Sequence, residues 1–199
     1  MEQIISKEET EKLMSLEGEV KGMGMKTHAE FVLREEGKEG LKKLEQAMGK
    51  AGYPVKFKEL KEMAFFPLGM EALVLELMQR LFNYDDKKFQ EIGKFHTKLS
   101  LVTKLFMKYF FSLEMMAKQV PKIWDRYFTV GKQRLVDWDK DKKYIIVRVE
   151  NFKFHPLHCQ ILIGTLSTTL GMIVKSEVTC QETKCVYRGD QYHEFLVKW

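Results

Sequence analysis

The pattern of apolar and polar residues changes character about two-thirds of the way along this chain. Up to Gly131, apolar residues recur mainly at three- and four-residue intervals, the period of a helix with one buried face. Beyond it they alternate with polar residues, the period of a half-buried strand. Residues 1–17 set Ile4, Ile5, Leu13, Met14 and Leu16 among charges and read as a helical arm, which Gly18, Gly22 and Gly24 interrupt. A helix is expected from Thr27, pausing near Gly37 and closing at Gly49, Gly52 and Pro54. Pro67 opens the next, with Met70, Leu73, Val74, Leu77, Met78 and Leu81 at helical spacing. Phe89, Ile92 and His96 continue one face after Asn83 to Asp86. Leu101 to Met116 predicts a strongly apolar helix, and Pro121 predicts the start of a short one carrying Trp124 and Phe128.

In the last third, Arg134 to Asp139 and Tyr144 to Glu150 alternate around a charged turn, a hairpin signal. His155 to Leu170 reads as a helix entered at Pro156 and stopped by Gly171. Met172 to Tyr187 and Tyr192 to Trp199 read as strands joined by Arg188 to Gln191. The expected fold is therefore α+β: a helical N-terminal two-thirds packed on a small antiparallel sheet with one inserted helix. It divides into the arm, residues 1–17, and one domain, residues 18–199.

Composition narrows the function. Thirty-three basic and 28 acidic residues are interspersed, for a net charge of +5, which describes a mixed solvated surface and not a nucleic-acid-binding stripe. The start of the chain lacks the basic end and apolar run of a signal peptide, and no transmembrane helix is expected, so a cytoplasmic location is. Three cysteines cannot pair off into a closed disulfide framework. No GxGxxG, GxSxG, HExxH or Walker loop occurs, so no enzyme is expected.

The candidate chemistry lies in Cys159, Glu182, Cys185 and His193, spaced C-x22-E-x2-C-x7-H. Two thiols, a carboxylate and an imidazole make a zinc donor set, and four protein ligands make a closed, structural one. Cys159 falls in the first turn of the inserted helix, where the helix dipole favours a thiolate. Glu182 and Cys185, three apart on one strand, would face opposite sides, so a bulge near Thr183 and Lys184 is required. His155 and His158 compete as nearby imidazoles. The same residues taken singly are also ordinary: buried free cysteines are common in cores, and Cys180 reads as one.

The segments HPLHCQILIGTL and ETKCVYRGDQYHEF resemble the signature of the 4-vinyl-reductase-type, or hydrocarbon-binding, domain. That family ends in Glu-x-x-Cys, a Gly-Asp turn, and a Cys followed by an acidic or polar residue and Phe. Here stand Glu182, Cys185, Gly189-Asp190 and His193-Glu194-Phe195, with Cys159 at the position of an earlier helix-start Cys. His193 occupies the place of a third Cys. The phenol-sensing domains of bacterial activators share the arrangement and hold a structural zinc. The helical run from Val20-Lys21-Gly22 through Trp124 to Phe128 is similar in order to the haem–nitric-oxide-binding-like superfamily, which includes trafficking-complex (TRAPP-type) subunits.

The resemblance implies a non-enzymatic small-molecule-binding or sensory module with a pocket for a small apolar or lipid-like ligand. The alternatives it leaves are a dimeric scaffold of the trafficking type and, further off, a reductase accessory. A homodimer or a partner protein is implied by either main reading. Candidate ligand contacts are His96, Phe106, Tyr109, Phe110, Trp124, Phe128 and Trp138, although an aromatic stripe at helical spacing is also plain core. His96 could ligate haem, but the Tyr-x-Ser-x-Arg motif that grips haem propionates is absent, so no haem is expected.

Overall fold

The computed structural model describes residues 4–99 and 113–199, which fall in two compact units, Met1–Asp85 and Asp86–Trp199. Both helices and antiparallel strands are present, so the fold is α+β, as the pattern predicted. The expected apolar helix over Leu101 to Met116 lies almost wholly outside the described residues.

The first unit begins with α1 (Lys7–Met14), started by a reciprocal cap: the Ser6 hydroxyl accepts from the Glu9 amide at 3.1 Å and the Glu9 carboxylate accepts from the Ser6 amide at 2.8 Å. The arm is docked, not free. It packs on α3 (Leu68–Phe82), where Arg80 reaches the Glu9 carboxylate at 2.6 Å and the Ile4 carbonyl at 2.9 Å, and Ile5 is buried. A two-stranded ribbon of β1 (Glu19–Lys21) and β2 (Phe65–Pro67) is absent from the sequence reading; strands of three residues are too short to show a period.

The long helix α2 (Gly22–Lys50) starts earlier than expected. Gly22 and Gly24 belong to its first turn because a side chain at Gly22 would collide with Leu60, Phe66 and the Lys61 carbonyl. The expected pause is a kink at Gly37, whose φ of 69° suits glycine. Between α2 and α3, His28 Nε2 and Glu71 Oε1 meet at 3.0 Å in the core.

The second unit contains α4 (Asp86–Leu99), α5 (Leu113–Tyr127), β3 (Lys132–Asp139), β4 (Tyr144–Glu150), α6 (Pro156–Val174), β5 (Thr179–Lys184) and β6 (His193–Lys198). Pro121 lies within α5 instead of starting a helix. The strands are antiparallel in the order β3-β4-β6-β5, so the last strand in the chain is an inner one. Ile145, Val147 and Val149 of β4 and Phe195 and Val197 of β6 alternate onto the buried face, where Leu170 of α6 packs on Ile145, Val147 and Val197.

The inserted helix overruns Gly171 and ends at Lys175, which adopts a left-handed φ of 53° and donates its amide to the Gly171 carbonyl at 2.9 Å. Glycine is tolerated mid-helix, so it did not mark the end. Among the described residues α6 is the one helix long and apolar enough to cross a membrane; here it packs on α4 and β5. The crossing with α4 is a backbone-to-backbone approach. A Cβ on Gly93 would strike the Ile161 carbonyl, and one on Gly164 the Gln90 carbonyl. Gly93→Ala and Gly164→Ala are each expected to cost about 1–3 kcal/mol, since neither backbone can yield as a side chain could. Urea denaturation reads this directly, and a change below experimental error would show that the crossing is slack.

Candidate metal centre

The centre is built from α6 and the β5–β6 hairpin. β5 and β6 shift register between Glu182 and Lys184, the bulge that the C-terminal spacing required. It lets Glu182 and Cys185 turn toward the same point. Past it the chain makes one 3-10 turn over Val186–Arg188 and passes through Gly189 at φ 95°. The Cys185 carbonyl accepts from the Arg188 amide at 2.9 Å and the Asp190 amide at 3.2 Å. The Asp190 carboxylate accepts from the Cys185 amide at 2.8 Å, so this cysteine is clamped on both sides of its backbone. His193 opens β6 opposite Val149. Cys159 comes from the start of α6, which His155 caps by accepting from the Leu157 amide at 3.3 Å.

One ligand atom from each of Cys159, Glu182, Cys185 and His193 lies within 4.8 Å of every other. His193 Nδ1 is 3.6 Å from Cys159 Sγ and 3.0 Å from Glu182 Oε1. Bonds of about 2.0–2.3 Å to a tetrahedral ion place its ligand atoms about 3.3–3.8 Å apart, so the set needs only small adjustments. Cys159, Cys185 and His193 are each at least 95% buried.

The imidazole orientation decides how the centre reads. His193 Nε2 lies 3.1 Å from the Phe152 carbonyl, which can only accept, so Nε2 carries the proton. A neutral ring then presents a lone pair at Nδ1, aimed at a carboxylate oxygen and a sulfur. Two acceptors 3.0 Å apart in a buried place need a proton or a metal cation between them. A proton on Nδ1 would satisfy Glu182 and leave the thiols; a divalent cation satisfies all four donors. The Phe152 carbonyl is the kind of outer partner that fixes the tautomer of a metal-binding histidine.

The electrostatics agree. Burial, then the Glu182 and Cys185 charges, push the Cys159 thiol far above its ordinary value. The helix start was expected to favour its thiolate, but one helix end does not outweigh burial beside two anionic groups. Burial likewise raises Cys185. Burial works to raise Glu182 too, yet hydrogen bonds with His193 and the two thiols hold its carboxyl below the usual range. Tyr187, its ring centroid 6.0 Å from that of His193, is raised by burial and by both sulfurs.

The other candidates separate. His155 caps α6 and His158 packs edge-on among Phe128, Phe152 and Phe154, at 5.7, 5.6 and 5.0 Å between centroids; neither belongs to the four-donor set. Trp124 stacks on Phe128 at 4.5 Å, meets Phe152 at 4.8 Å and donates its indole N–H to the Val130 carbonyl at 3.0 Å. Trp138 packs with Leu135 and Ile145 in the sheet cluster instead. His96 is half-buried on α4, and Phe106, Tyr109 and Phe110 lie outside the described residues. Sequence reasoning missed Phe152 and took Arg188 and Asp190 only as residues of the turn. The aromatic-x-aromatic pair Phe152 and Phe154 just ahead of His155-Pro156 was the available signal.

No family model matches the sequence, and no curated protein matches it either. Solved structures do match. An H-NOX protein from S. oneidensis, in the Fe(II)NO ligation state, superposes with a TM-score of 0.67 at 11% identity, covering 89% of this chain and 98% of that one. An H-NOX protein from K. algicida gives 0.65 at 11% identity, covering 89% and 95%. A trafficking protein particle complex subunit 3 from Naegleria fowleri, covalently bound to palmitic acid, is 18% identical with a TM-score of 0.47 over 65% of this chain and 90% of its own, a likeness too loose to carry an argument. The fold is thus similar to that of H-NOX proteins, and at these identities the likeness is one of fold alone.

Haem is named for another matching H-NOX structure. His96 has no Tyr-x-Ser-x-Arg to accompany it.

Proposed function

We propose that this protein is a non-enzymatic small-molecule-binding module of the sensory kind, stabilised by a structural zinc on Cys159, Glu182, Cys185 and His193. The observation that carries it is the 3.1 Å contact of His193 Nε2 with the Phe152 carbonyl, which leaves Nδ1 facing two thiols and a carboxylate. Thiolate and imidazole donors in a four-coordinate set favour zinc over magnesium or calcium, which take oxygen ligands. The likeness of the C-terminal segment to 4-vinyl-reductase-type domains and the H-NOX-like fold both support a ligand-binding module.

The ligand would be small and apolar, taken up near Trp124 and Phe128. Phe152 belongs both to that aromatic group and, through its carbonyl, to the support of His193, so zinc would stiffen the floor under the ligand. A partner protein or second copy would read the response. The scaffold alternative would need an exposed apolar face on the arm; of its apolar residues Ile5 is buried within the first unit and Ile4, Leu13, Met14 and Leu16 are half-buried.

Metal analysis of the purified protein is expected to find about one zinc per chain and almost none in Cys185→Ser. A wild type with no bound zinc overturns the reading. Native mass spectrometry is expected to show an apolar guest that Trp124→Ala loses; a guest retained in full by that variant would move the ligand site elsewhere.

A further inference from the structure

Resting on the zinc reading, we propose that Glu182 is a displaceable ligand, and that its position beside Arg188 is an exchange site where a small monoanion coordinates the metal.

The four donors are not held alike. Cys159 stands on α6, which is locked to α4 by the glycine crossing. Cys185 is clamped through its backbone by the Asp190 carboxylate and two amides. His193 lies on an inner strand, paired to β4, and its Nε2 is tied to the Phe152 carbonyl. Glu182 is on β5, the outer strand, at the register shift. Its second oxygen, Oε2, accepts from Arg188 Nη1 at 3.3 Å; the Glu182 side chain is 6% exposed, and the approach to it is past Arg188, whose side chain is 53% exposed. The carboxylate is also the weakest partner for a metal already bound to two thiolates, being the hardest donor of the set.

Arg188 stays in place if the carboxylate leaves, because its Nη2 donates to the Glu182 backbone carbonyl at 3.2 Å. Nη1 can then pass from Oε2 to an incoming anion. The charges permit the exchange. A divalent ion with two thiolates is neutral and Arg188 balances one anion at the fourth position, so the exchange requires the displaced Glu182 carboxylate to take its own charge out to solvent at the outer strand. One metal–oxygen bond breaks, one metal–anion bond forms, and no proton or electron moves.

The test uses the full chain loaded with cobalt(II), whose visible bands report its ligands, titrated with azide. Wild type is expected to show a saturable band shift with the sulfur-to-cobalt transitions retained. Arg188→Ala is expected to weaken azide binding about tenfold, the loss of one charge-assisted contact, with Arg188→Lys in between. Bands that ignore azide in wild type, or an equal azide affinity in Arg188→Ala, overturn the exchange site. Failure of wild type to give tetrahedral thiolate–cobalt bands would instead overturn the zinc reading beneath it.

Discussion

Stripping the metal with a strong chelator is expected to release the β5–β6 hairpin from α6 and lower Tm by more than about 15 °C. At free zinc a thousandfold above its Kd, binding adds about 4 kcal/mol to folding, and each kcal/mol moves Tm by about 4–8 °C in a domain near 100 residues. Without the ion, three buried groups of negative tendency face one another, and the thiols must stay protonated. Cys159→Ser and Cys185→Ser are expected to match the chelated wild type and to gain nothing from added zinc. His193→Cys separates geometry from identity. It restores a thiolate at the fourth corner but loses the Phe152 tether, so it should bind zinc and recover part of the Tm. Calorimetry with and without chelator measures all four proteins. Equal Tm values for the loaded and stripped wild type would mean that the centre has no structural role.

How much of this was legible in the chain depended on where each signal resides. The four donors could be named because their chemistry is carried by residue type, and the bulge at Glu182 followed from a parity argument on strand period. The second-unit strands were legible because Ile145, Val147 and Val149 alternate cleanly. Helix ends were less so. Gly22, Gly24 and Gly171 are helical glycines: the first is required by close approach to Leu60 and Phe66, a tertiary fact that no local pattern contains. The Phe152 carbonyl and the Asp190 clamp were invisible for a similar reason. One acts through its backbone, and the other is a turn residue whose partner is an amide five positions back.

The buried pair of the first unit is expected to give stability a plateau in acid solution and a decline above neutrality. His28 and Glu71 are 1% and 3% exposed, joined at 3.0 Å, and Glu71 Oε2 has no hydrogen-bond partner among the described residues. Burial pushes Glu71 up to about 8 and His28 down to about 3, so the pair is a carboxylic acid donating to a neutral imidazole. The raised Glu71 contributes stability that is complete below its unfolded value of 4.5 and lost as pH rises toward 8. The lowered His28 contributes stability that is complete above 6.5 and lost as pH falls toward 3. Between 4.5 and 6.5 the two slopes cancel, because folded and unfolded chains each hold one proton on the pair. From 6.5 to 8 only the Glu71 slope remains, about 1.4 kcal/mol per pH unit. His28→Leu strands the carboxyl and is expected to cost about 3 kcal/mol at neutral pH, whereas His28→Leu with Glu71→Leu should recover most of that loss, since two apolar groups need no partner. Urea midpoints from pH 5 to 8 read both effects. A wild-type profile that does not fall between pH 6.5 and 8 would mean that the folded pair holds no proton there, and a double variant no more stable than His28→Leu would mean that the stranded carboxyl is not what destabilises that variant.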